Sequence, residues 1–127
     1  TLKGSEKINN NKLSGQILNN IGLVYESLED YDNALSYGKK ALAKKIIVND
    51  SLSIANSYGN IGNVFSFKGM AGSAIFYQRQ SYHINLLIHN NPGMSNAMGN
   101  IGNAYMQINN LDSAIAYLKE AITLSEK

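Results

Sequence analysis

The sequence contains no cysteine, which excludes disulfides and thiolate-bound metals but leaves the compartment open. No apolar run approaches the roughly 20 residues that a membrane helix requires, and no signal-peptide pattern opens the chain. Because the first residue is Thr1 rather than Met, the sequence reads as an excerpt or a processed product. Acidic residues are missing from the whole stretch between Ser51 and Leu111, where only Lys68 and Arg79 carry formal charge. That stretch offers amide and hydroxyl hydrogen bonds with little electrostatics. The formal net charge of +2 is too mild to imply a nucleic-acid partner. At 127 residues with 44% hydrophobic content, one modest core and one domain are expected.

What is present is repetition. Asn19-Asn20-Ile21-Gly22-Leu23-Val24-Tyr25 recurs as Gly59-Asn60-Ile61-Gly62-Asn63-Val64-Phe65 and as Gly99-Asn100-Ile101-Gly102-Asn103-Ala104-Tyr105. A second block keeps the same 40-residue spacing: Ala34-Leu35-Ser36-Tyr37, Ala74-Ile75-Phe76-Tyr77 and Ala114-Ile115-Ala116-Tyr117. Two blocks held in one register through three copies divide the chain into an N-terminal flank (1–12) and repeats at 13–50, 51–90 and 91–127. The flank reads as the tail of an earlier repeat or as a disordered lead, and its Asn and Lys content favours the second.

Each copy reads as two helices. Leu13, Ile17, Ile21, Val24, Tyr25 and Leu28 recur at steps of three and four, as do Ala34, Leu35, Ala41, Leu42 and Ile46. The expected helices are 13–28, 32–48, 52–68, 72–89, 93–108 and 112–125. Asp32 and Asp112 are candidate N-caps, with Gly72 in their place in the middle copy; Asp50 and Pro92 mark starts between copies. Gly69 and Asn109 suit a left-handed helix end, and Glu29 in the same register suits it less well. Gly22, Gly62 and Gly102 are expected to face Ala34, Ala74 and Ala114, letting two backbones approach at a cost of about 1 kcal/mol per helical Gly. Tyr25, Phe65 and Tyr105 fill the space one turn on, and the once-per-repeat Tyr37, Tyr77 and Tyr117 read as packing residues.

The order Ile-Gly, two residues, aromatic, then Ala after a turn resembles the tetratricopeptide repeat, from about residue 13 to 126. The resemblance implies an all-α fold, a right-handed α-α superhelix of three helix-turn-helix repeats. The 40-residue period exceeds the family's usual 34, and the proline that often ends a repeat is missing apart from Pro92. Long periods of this kind are similar to those of the kinesin light chain, polarity scaffolds and bacterial sensor or regulator proteins.

The resemblance places Gln16, Asn20 and Leu23, then Asn56, Asn60 and Asn63, then Asn96, Asn100 and Asn103, on a concave groove, with Glu26, Phe67 and Met106 near it. An Asn amide both donates and accepts, so such a column suits the backbone of an extended peptide. Related proteins with an asparagine ladder hold peptides in this way. The alternative is that Asn20, Asn60 and Asn100 bond within the stack and hold the repeats in register; the two are compatible. A Lys/Arg carboxylate clamp is not expected, because Gln16, Asn56 and Asn96 are uncharged.

Other signals lead to no chemistry. Lys39, Lys40, Lys44 and Lys45 read as a solvated face balanced by Glu29, Asp30 and Asp32. His83 and His89, six apart, do not share metal-ligand spacing. Gly-Asn-Ile-Gly falls inside a helix and is not a phosphate loop. No enzyme activity, cofactor or metal is expected. The function expected is a protein- or peptide-binding scaffold, the recognition part of a bacterial sensor or regulator, in the cytoplasm or as a periplasmic sensor domain. The rival is self-association into a homo-oligomer, motivated by Leu118, Ile122 and Leu124 at the end of a helix with no polar capping helix after it.

Overall fold

The computed structural model describes residues 3–127. It consists of α1 (Gly4–Ser27), α2 (Tyr31–Val48), α3 (Ser51–Phe67), α4 (Ala71–Leu87), α5 (Asn91–Gln107) and α6 (Leu111–Ser125), with no strand among the described residues. Each helix packs on its neighbours in the chain, and α3 also touches α5, so the six form a solenoid of three hairpins. The flank is not a disordered lead: Gly4 to Lys12 continue α1, while Thr1 and Leu2 lie outside the described residues. Lys44, on α2, donates from Nζ to Asn11 Oδ1 at 3.3 Å and ties this added part of α1 to the first hairpin.

The turns reveal a half-period. The residues with left-handed backbone are Glu29, Asn49, Gly69, His89 and Asn109, one every 20 positions, with φ between 57° and 77°. The helix after each begins two residues later. Gly69 and Asn109 were legible as helix ends; Glu29 and His89 are forced into the same conformation by the short turn they occupy. Capping therefore lies earlier than expected. Asp30 Oδ1 accepts from the backbone N–H of Asn33, and Asn110 Oδ1 from that of Ser113, each at 3.3 Å. Asp32 and Asp112 fall inside the first turn, and Met70, not Gly72, precedes α4 without a side-chain cap. Asp50 caps α3 through Ser53, and Pro92 sits in the first turn of α5, as the sequence indicates.

One core cluster runs through the stack. Ala34, Leu35 and Leu42 meet Ile61, Val64 and Phe65, followed by Ala71, Ala74 and Ile75 and then Ile101 and Ala104. The small-residue approach occurs with a finer register. A β-carbon on Gly22 would stand 3.4 Å from the carbonyl of Ala34 and 3.5 Å from the N of Gly38. On Gly102 it would fall 3.2 Å from the Ala114 carbonyl and 2.8 Å from Leu118. In the middle copy the opposing residue is Gln78, at 2.8 Å, rather than Ala74. The aromatic pairs Tyr25–Tyr37, Phe65–Tyr77 and Tyr105–Tyr117 stack with ring centroids 5.5, 5.3 and 5.3 Å apart. At the end of the stack Leu124 is buried and Leu118 half-buried, so of the three residues named as an apolar edge only Ile122 is exposed.

Candidate functional site

The face between α3 and α5 holds an open cavity of about 520 Å³. Its rim is built from Asn56, Asn60 and Asn63 on α3 and from Asn96 and Asn100 on α5. Helical steps of four and three put these on one face, as expected. Its floor is α4, which presents Gln78, Ser81 and Asn85 at steps of three and four; all three are buried.

The floor is polar but satisfied. Gln78 Nε2 donates to the Gly59 carbonyl and to Asn63 Oδ1, both at 3.0 Å. Asn85 Nδ2 donates to the Ser81 carbonyl at 2.9 Å, and Asn85 Oδ1 accepts from Asn90 Nδ2 at 3.0 Å. Burying these amides costs little only because each has a partner. The rim divides in two. Asn60 Nδ2 donates to Asn19 Oδ1 at 3.2 Å, linking α3 to α1, and Asn63 is held by Gln78. Asn56, Asn96 and Asn100 make no side-chain hydrogen bond among the described residues, so their amides point no bonding capacity back into the stack.

The expected groove residues do not all converge. Gln16 lines a small separate pocket with Lys12, Val48 and Ser53. Leu23 faces pockets shared with Glu26, and one of those also holds Phe67. Asn20 and Asn103 are exposed and line none of these; Asn19 occupies the cavity wall where Asn20 was expected. Met106 is exposed. The floor residues were not expected. Their signal lies in the repeat register: Gln78, Ser81 and Asn85 stand where the other copies have Gly38, Ala41 and Lys45, and Leu118, Ala121 and Ser125. At the first two positions a polar side chain replaces small or apolar ones, and at the third an amide replaces Lys45 and Ser125, which marks the middle hairpin as different.

The basic cluster is also taken apart. Lys45 lines the cavity, the one formally charged residue to do so, and its partial burial lowers its pKa while Asp50 pulls it the other way. Lys40 lies 4.8 Å over the Tyr37 ring and Lys39 5.8 Å over that of Phe65. Asp32 pairs with Lys68 at 2.6 Å rather than with this cluster. His83 is exposed beside Tyr82, and His89 sits at the α4–α5 turn. No group of three His, Asp or Glu side chains suited to a metal occurs among the described residues, and no described helix is long and apolar enough to cross a membrane.

Comparison with known proteins agrees with this architecture. Tetratricopeptide repeat profiles match residues 13–85 and 95–127. No curated protein matches the sequence significantly. Among solved structures, the TPR domain of Arabidopsis FLU superposes with a TM-score of 0.85 at 19% identity, over 91% of this chain and 98% of that one. BtubC (BKLC) from P. vanneervenii gives 0.81 at 19%, over 88% of this chain and 46% of that one. Aspartyl phosphate phosphatase F from Bacillus subtilis gives 0.84 at 15%, over 91% and 30%. At these identities the likeness is one of fold, and the chain spans less than half the length of BtubC and of the phosphatase. With the profiles spanning nearly all of the three hairpins, the chain belongs to the tetratricopeptide repeat family, whose domains are non-catalytic scaffolds for protein–protein interaction.

Proposed function

We propose that the chain holds an extended peptide in the cavity between α3 and α5, as the recognition part of a bacterial sensor or regulatory protein. The observation that carries this is the contrast between rim and floor. Asn56, Asn96 and Asn100 keep free amides on one cavity whose other amides are bonded within the stack. Free amides at that spacing match the alternating N–H and C=O groups of a peptide backbone. A rigid, satisfied floor keeps them placed without the rim having to order itself on binding. Lys45 adds one cationic contact, which favours a peptide with a carboxylate at that end of the cavity.

The test is a library of extended peptides screened against the parent and against the triple variant Asn56→Ala, Asn96→Ala, Asn100→Ala. Each amide contributes on the order of 1 kcal/mol net, so losing three weakens binding about a hundredfold. Circular dichroism establishes that the variant remains helical. The pair Asn20→Ala, Asn103→Ala, outside the cavity, serves as the control and is expected to bind like the parent. Equal binding by the triple variant would remove the cavity from consideration.

A further inference from the structure

The Asn-rimmed cavity does not stop at its rim. Asn19 and Asn60, which line it, also line a small pocket beyond their mutual hydrogen bond. Leu23 and Glu26 line that pocket in turn and open a second cavity of about 380 Å³, completed by Glu29, Tyr31 and Phe67. This second cavity lies between the first two hairpins, with walls from α1, α2 and α3. Formal charge along the whole trough is thus confined to its two ends, Lys45 at one and Glu26 and Glu29 at the other.

The second cavity suits a cation. Tyr31 and Phe67 stack with ring centroids 5.9 Å apart, and Phe67 remains 57% exposed. Aromatic rings attract ammonium and guanidinium groups electrostatically. Glu26 is half-buried, and its carboxylate has no hydrogen bond or ion pair among the described residues, so burial raises its pKa unopposed. Lys68, next to Phe67 in the chain, is already held by Asp32 at 2.6 Å. The following joint lacks this combination. There the register equivalents of Glu26 and Phe67 are Ser66 and Gln107, and Gln107 Nε2 donates to the Ser66 carbonyl at 3.4 Å.

We infer that the second cavity receives a lysine or arginine side chain of the same extended peptide whose carboxylate meets Lys45. The inference rests on the Asn-rimmed cavity being the peptide site. The apolar stem of the incoming side chain packs on Leu23 and Phe67, and its charged head pairs with Glu26. Lys45 packs beside Gly15, where a β-carbon would stand 3.6 Å from its Cγ. From Gly15 to Glu26, both on α1, the helix rises about 16 Å. An extended chain covers that distance in about five residues. The ligand class is therefore a peptide with an acidic and a basic residue about five positions apart.

Two measurements test this. In an NMR titration, N-acetyl-lysine methylamide shifts the ring signals of Tyr31 and Phe67, whereas N-acetyl-norleucine methylamide at the same concentration does not. Glu26→Gln abolishes the lysine-dependent shift, and the triple variant Asn56→Ala, Asn96→Ala, Asn100→Ala keeps it. In peptides selected from the library by the parent, exchanging the basic residue for norleucine weakens binding about fivefold. Glu26→Gln removes that difference. No shift with the lysine probe, equal shifts with both probes, or a Glu26→Gln variant that still prefers the basic peptide overturns the inference. Failure of the peptide reading looks different: the library yields no binder while the lysine shift persists, and the cation subsite then stands without it.

Discussion

Gly93 and Asn85 lock α5 onto α4 at the floor of the cavity: a β-carbon on Gly93 would fall 2.2 Å from Oδ1 of Asn85 and 2.4 Å from its Cγ. Asn85 has no room to retreat, since it is buried and bonded to Ser81 and Asn90. Gly93→Ala gains helix propensity but must displace that amide, so a net loss of about 1–2 kcal/mol is expected. Chemical denaturation measures it. In the double variant with Asn85→Ala the clash disappears, and the loss is less than the sum of the two single losses. Strict additivity would show that the two residues do not touch in solution.

The turns offer a second test. Glu29 adopts φ 59° in the register position where Gly69 adopts φ 77°. A side chain in the left-handed region is strained, whereas glycine is not. Glu29→Gly is therefore expected to stabilise the fold by about 0.5–1 kcal/mol, and Gly69→Ala to destabilise it by about 1 kcal/mol. Thermal melts of the two variants should move in opposite directions.

Ser57 is 2% exposed and its hydroxyl has no partner among the described residues. The same position in the next repeat is Ala97, equally buried. Ser57→Ala removes an unpaired polar atom while leaving the packing unchanged, so stability rises by about 1 kcal/mol. A fall in the denaturation midpoint would mean that the hydroxyl is bonded after all.

Glu26 is half-buried, and desolvation raises its carboxyl pKa above the ordinary value. The folded chain then binds this proton more tightly than the unfolded one, so the group's contribution is greatest below the unfolded pKa and is lost as pH rises through the folded one. Glu26→Gln should match the parent near pH 4 and exceed it at pH 7, by no more than about 0.5 kcal/mol. Paired denaturation curves at the two pH values decide it, and a parent that gains on the variant with rising pH would reverse the sign.

The five left-handed residues show how far local reading reaches. Gly69 and Asn109 announce a helix end through their own conformational freedom, whereas Glu29 and His89 do not. Their conformation follows from the 20-residue half-period, in which each turn must return the chain against the helix before it. The caps moved for the same reason. Asp32 and Asp112 are good capping residues, but the turn closes two residues sooner, leaving Asp30 and Asn110 at the cap and Asp32 free to pair with Lys68.

The sequence by itself determined the number of helices, their pairing into three hairpins and the family. These follow from periodic apolar positions and a register repeated three times, which local geometry converts directly into amphipathic faces. Only the tertiary structure decided which asparagines have bonding capacity to spare. Asn56, Asn60 and Asn63 look equivalent along α3, yet Asn60 meets Asn19 and Asn63 meets Gln78. Those partners lie 41 and 15 residues away: Asn19 is brought into reach by the stacking of one hairpin on the next, and Gln78 by the closing of α4 against α3. Whether a polar side chain is a strut or a free contact depends on what stands opposite it, and a single helix does not carry that information.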